Sequence, residues 1–93
     1  MSGGIPGSEA RRLVHAGALL LDVRTQEEYT GEGHLPGAVN IPVQELGDRL
    51  GELPNDRAIV VYCRSGSRSA RAAGILRSAG RTRVFDLGSL DNW

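Results

Sequence analysis

Two apolar runs of strand length, "ALLLDV" at residues 18–23 and "AIVVY" at residues 58–62, set the tightest limit on the fold. Apolar and polar residues do not alternate in either run, so each predicts a strand covered on both faces. Around them the pattern changes to that of helices. Ser8 stands where it can cap a helix over "EARRLVHAG", with Ala10, Leu13 and Val14 on one face and Gly17 as the stop. "TQEEYTGEG" puts Thr25 and Glu28 at capping-box spacing, with glycines to end a short helix. "HLPGAVNIP" predicts a turn at residues 36 and 37 and a brief strand over 38–41. In "VQELGDRLGEL", Val43, Leu46 and Leu50 recur at helical spacing, interrupted at Gly47 and closed by Pro54. The clearest helix spans residues 67–80, with Ala70, Ala73, Ile75 and Leu76 inward and Gly80 as its stop. "RVFDL" at 83–87 predicts a last strand, after which "GSLDNW" trails off. Strands alternating with helices predict an α/β fold, a small parallel sheet with helices on both faces.

Ninety-three residues suffice for one modest core, since a chain of this size buries roughly 60–70% of its unfolded surface. Residues 1–7 are expected to be a flexible lead-in and residues 8–93 the domain. Eleven acidic side chains balance eleven basic ones, which leaves no charge footprint for nucleic acid or an anionic membrane. All eleven basic residues are arginine, so any anion site must use guanidinium or backbone N–H groups. A single cysteine excludes an intramolecular disulfide and a multi-thiolate metal site. "MSGGIPGSEARRL" lacks the pattern of a secretory signal, and no apolar run is long enough to span a bilayer. The expectation is a cytoplasmic protein with no membrane partner.

The one cysteine, Cys63, lies in "VVYCRSGSRSAR" at residues 60–71, just past a buried strand and ahead of a helix. In open α/β sheets the ligand crevice lies outside the carboxyl ends of the strands. A helix N-terminus has unsatisfied N–H groups and a partial positive charge, which favour a thiolate, the reactive form of cysteine. Gly66 permits a tight loop whose successive N–H groups converge as an anion nest. Arg64 and Arg68 add positive charge at the rim, and Ser65, Ser67 and Ser69 add hydroxyl donors. Buried cysteines are commonly inert, but six donor-rich residues after this one favour a nucleophile.

With these segments in view, the chain resembles the single-domain rhodanese, or thiosulfate sulfurtransferase-like, family. The residues that carry the resemblance are "LLDVRTQEEYTGEGHLPGAVNIP" at 20–42, "VVYCRSGSRSARAAGILRSAG" at 60–80 and "VFDLGSLDNW" at 84–93. The resemblance implies a persulfide mechanism on Cys63, with Arg64, Ser65, Gly66, Ser67, Arg68 and Ser69 binding the substrate. It implies thiosulfate or another sulfane-sulfur donor, and cyanide, a small thiol or a protein thiol as acceptor. No metal or organic cofactor is implied. A sulfur-carrier or interaction module, loaded by a protein partner, is the alternative. An oxyanion-handling phosphatase or arsenate reductase is a weaker one, because those enzymes place arginine six positions after the cysteine. Here Arg68 lies five after Cys63 and position 69 is serine.

Asp22 and Arg24, with Glu28, are expected to brace the strand–loop junction by ion pairs rather than to act on substrate. His15 and His34 have no metal-ligand spacing and are expected to be structural or at the surface. Tyr62 alternates to the face opposite Cys63 and is expected in the core. Gly88 is followed by Ser89, where related domains usually carry a second glycine, and the chain stops at Trp93. That predicts thinner cover over Leu87, Leu90 and Trp93.

Overall fold

Both apolar runs form strands at the middle of a sheet. The computed structural model describes residues 4–93. Along them run α1 (Gly7–His15), β1 (Leu19–Asp22), α2 (Gln26–Gly31), β2 (Val39–Asn40), α3 (Val43–Leu46), β3 (Ile59–Cys63), α4 (Ser67–Ser78) and β4 (Val84–Ser89). Short 3-10 turns occupy Leu50–Glu52 and Leu90–Asn92. The strand order is β2-β1-β3-β4, and every neighbouring pair is parallel. All five residues of β3 are buried because alternate side chains enter different layers. Ile59, Val61 and Cys63 face the layer of Leu46, Ala72 and Leu76. Val60 and Tyr62 face that of Ala10, Leu35 and Leu87. The α/β reading, a parallel sheet covered by helices on both faces, holds.

Several local expectations shift. The buried face of α4 is Ser69, Ala72, Ala73 and Leu76, whereas Ala70 is exposed and Ile75 half-buried. That set follows i, i+3, i+4, i+7 spacing; its phase is fixed by the first turn, which folds over Cys63 and takes Ser69 inside. Ser8 is not the cap of α1. The helix opens at Gly7 behind Pro6, whose φ of −70° already suits that position, with no side-chain cap bond. Gly7 is required for contact rather than flexibility, since a Cβ there would lie 1.9 Å from the Asn92 carbonyl oxygen. Of the expected lead-in, residues 1–3 lie outside the described residues. Farther along, the Ile5 N–H donates to the Asp86 carbonyl at 2.8 Å, and Ile5 packs on the layer containing Tyr62.

The C-terminal segment does not trail off. β4 continues to Ser89, the Ser89 hydroxyl accepts the Asp91 N–H at 3.0 Å, and the Arg11 guanidinium donates to the Trp93 carbonyl. Leu87 is accordingly only 1% exposed, against the thin cover expected, while Leu90 and Trp93 are half-buried.

The capping box of α2 forms as its spacing predicts. Thr25 Oγ1 accepts the Glu28 N–H at 3.1 Å, and Glu28 Oε1 accepts the Thr25 N–H at 2.9 Å. Thr25→Ala is expected to lower stability by about 0.5–2 kcal/mol, read as a shifted denaturant midpoint at constant slope.

Candidate active site

Cys63 is the last residue of β3 rather than the first beyond it, and its side chain is fully buried. Arg64, Ser65 and Gly66 make the turn into α4. Gly66 adopts φ 112°, a left-handed conformation strained for any residue with a Cβ, and this turns the loop back on the cysteine. The Gly66 N–H then donates to Cys63 Sγ at 2.9 Å, and the Ser69 N–H, in the first turn of α4, donates at 3.3 Å. Two backbone dipoles and the start of a twelve-residue helix converge on one sulfur, an arrangement that favours negative charge there. Ser69 Oγ is turned away and donates to the Gly66 carbonyl at 3.0 Å, so this serine serves through its N–H and by bracing the loop. Ser65 and Ser67 are exposed.

Beside the loop, at the carboxyl ends of β3 and β4, lies a groove of about 770 Å³ lined by Ser65, Gly66, Gly88, Ser89 and Asn92. Ser89 is the register partner of Cys63 across the sheet. The crevice thus opens at the strand ends, as the topology requires.

The arginines do not stand free at the rim. Arg68 makes a two-pronged pair with Glu28, Nη1 to Oε1 at 2.7 Å and Nη2 to Oε2 at 3.0 Å. Arg64 Nε lies 3.5 Å from Glu28 Oε2, and its Nη2 pairs with Glu32. The Arg68 hydrogen bond, against a smaller opposing effect of burial, holds the Glu28 carboxyl well below its ordinary value of 4.5. A carboxyl depressed in the folded state stabilises the fold above its unfolded pKa, and that contribution is lost as pH falls through the folded one. The stability gap between wild type and Glu28→Gln is therefore expected to be full at neutral pH and to close below pH 4.5, measurable by denaturation across that range.

Behind the loop, Asp22 and Arg24 form a buried pair, with Arg24 Nη2 to Asp22 Oδ2 at 2.7 Å and side chains 1% and 0% exposed. Tyr62 Oη donates to Asp22 Oδ2 at 2.7 Å and accepts the Leu35 N–H at 3.1 Å. Burial is the main cause that raises the Tyr62 phenol above its ordinary value of 10.0, so it remains a donor at neutral pH. Arg24 Nη2 also donates to the Gly33 carbonyl at 2.8 Å. This network ties the β1–α2 junction and the turn before β2 to β3, and so presents Glu28 to the loop. The bracing role expected of Asp22 and Arg24 is what the geometry gives. Glu28 braces by a different route, through Arg68 and Arg64. His34 stacks on Tyr29 with ring centroids 3.7 Å apart, and His15 lies exposed in the last turn of α1.

The structure brings Cys63, Gly66 and Ser69 into direct contact and sets Arg64, Ser65, Ser67 and Arg68 around them. Sequence reasoning missed Glu32 and Ser89. Glu32, the residue that ends α2, could have been found from its i, i+4 spacing with Glu28. Ser89 is brought to Cys63 by the strand register, which skips a residue between Val61 and Tyr62; nothing local in the sequence announces it.

Comparison with known proteins adds family evidence. The Rhodanese-like domain family matches residues 7–93. The chain is 50% identical over 91 residues to the HTH-type transcriptional regulator Rv0324 of Mycobacterium tuberculosis, covering 94% of this chain but 40% of that protein. It is 41% identical over 76 residues to a sulfurtransferase of Allochromatium vinosum, covering 81% of this chain and 70% of that one. The human single-domain sulfurtransferase TSTD1 superposes with a TM-score of 0.85 at 30% identity, covering 100% of this chain and 96% of the other.

Proposed function

The chain belongs to the rhodanese-like sulfurtransferase family, and from that premise we propose that Cys63 carries a sulfane sulfur as a persulfide. The observation that carries this reading is the pair of backbone N–H groups, from Gly66 and Ser69, aimed at the sulfur of the only cysteine. In the first half-reaction the Cys63 thiolate attacks the outer sulfur of thiosulfate or a similar donor. A new S–S bond forms, the old one breaks, and its electron pair leaves with sulfite. In the second, cyanide or a thiolate attacks the terminal sulfur and leaves as thiocyanate or a new persulfide, returning Cys63 as thiolate. The loop N–H groups of residues 64–69 stabilise the sulfur anion in both states, and no acid or base is needed. The exposed Ser65 and Ser67 hydroxyls border the path of the incoming donor. A reducing, cytoplasmic setting suits this chemistry, because it keeps the lone thiol available.

One observation favours a second reading, a carrier loaded by a protein partner: Arg64 and Arg68 are paired with carboxylates rather than turned to an incoming anion. The same pairing counts against the phosphatase and arsenate reductase alternatives, which need an arginine on the oxyanion. Steady-state thiocyanate formation from thiosulfate and cyanide tests the main reading. Double-displacement kinetics, with parallel double-reciprocal lines, are expected; intersecting lines or no thiocyanate would reject it.

A further inference from the structure

The mouth of the Cys63 loop contains two guanidinium groups, those of Arg64 and Arg68, and two carboxylates, those of Glu28 and Glu32. The Arg68–Glu28 pair is two-pronged and mostly shielded, with side chains 31% and 16% exposed. The Arg64–Glu32 pair is open, at 54% and 47%. An exposed pair of this kind adds little stability, but its charges still act over a Debye length, about 10 Å at 0.1 M salt. Within this cluster the two signs cancel, and the groove beside the loop adds a carboxylate, Asp86, and no guanidinium among its lining residues. What remains positive is the set of loop N–H dipoles, which act on a sulfur already in contact with them and fall off too steeply to attract an ion from solution. The site therefore stabilises an anionic sulfur without a field that gathers small anions.

We propose that Glu28 and Glu32 are specificity-determining residues: by cancelling Arg64 and Arg68 they leave the entrance to Cys63 without net positive charge, so that it selects low-charge sulfane-sulfur donors over small dianions such as thiosulfate. The identity of the ligands rests on the sulfurtransferase reading. The charge masking does not, and neither does its primary test.

Cys63 is the only thiol in the chain, so its alkylation by iodoacetate and by iodoacetamide can be followed directly. Both reagents attack the same sulfur, and the ratio of their rates cancels its reactivity and reports the field at the entrance. In Glu32→Gln, which frees Arg64, the iodoacetate-to-iodoacetamide ratio is expected to rise roughly three-fold or more at low salt. It should return toward the wild-type ratio at high salt and in Glu32→Gln/Arg64→Gln. Glu52→Gln removes the same charge from a pair with Arg49, near the start of β1, and should leave the ratio unchanged. An unmoved ratio in Glu32→Gln, or an equal rise in Glu52→Gln, overturns the proposal. Thiosulfate, a dianion, and an alkyl thiosulfonate, a monoanion, then extend the test to donors. Glu32→Gln should raise kcat/KM more for the dianion, and equal effects on both would overturn donor selection. Failure of every donor to load Cys63 would reject the sulfurtransferase reading, while the alkylation ratio would still decide the masking.

Discussion

Asp22→Asn is expected to lower stability by about 3–5 kcal/mol, the loss typical when one partner of a buried ion pair is removed. Small domains have about 5–15 kcal/mol in all, so the variant should be partly unfolded or melt far below wild type. The reason is what stays behind. Arg24, whose pKa is raised above its ordinary value chiefly by its hydrogen bond to Asp22, cannot shed its proton, and it is 1% exposed. The same carboxylate accepts the Arg24 backbone N–H at 2.9 Å and the Tyr62 hydroxyl at 2.7 Å besides Nε and Nη2 of the guanidinium, so four donors lose their acceptor charge together. Asp22→Asn/Arg24→Met should be less destabilised than Asp22→Asn alone, because it removes the stranded cation. Urea denaturation of the two variants and wild type measures this coupling. A double variant worse than Asp22→Asn would mean that the pair acts by shape rather than charge.

Cys63→Ala is expected to abolish sulfur transfer, a loss on the order of 10³-fold or more in kcat/KM, with little change in stability. The side chain is small, and of the two backbone N–H groups its sulfur accepts, that of Gly66 comes from a residue lining the groove beside the loop. Unfolding midpoints near the wild-type value, together with lost turnover, would separate chemistry from structure. A Cys63→Ala protein that still forms thiocyanate would move the nucleophile elsewhere, and the chain has no other thiol.

Much of the fold is legible along the chain because its signals are local. The two unbroken apolar runs require cover on both faces, and the capping box at Thr25 and Glu28 closes within three residues. Cys63 is legible for the same reason: the strand end, the glycine and the helix start that surround it are contiguous. The expectations that moved depend on tertiary contact. Ala70 faces solvent because the first turn of α4 is anchored over Cys63, which rotates the helix away from the stripe that hydrophobicity alone suggests. Ser8 yields the start of α1 to Pro6 and Gly7 because the chain must pass close to the Asn92 carbonyl. Arg64 and Arg68 read as anion attractors until α2 packs Glu28 and Glu32 against them; Glu28 and Arg68 are forty residues apart in the chain. Charge seen along a sequence gives the inventory, and only packing gives the local sum.

The most direct measurement is the intact mass of the reduced protein before and after incubation with thiosulfate, with Cys63→Ala carried alongside. The expected result is a gain of one sulfur atom on the wild type, absent from the variant and removed by cyanide as thiocyanate. No gain on the wild type from thiosulfate or from an alkyl thiosulfonate used in its place, or the same gain on Cys63→Ala, would contradict a persulfide carried by Cys63.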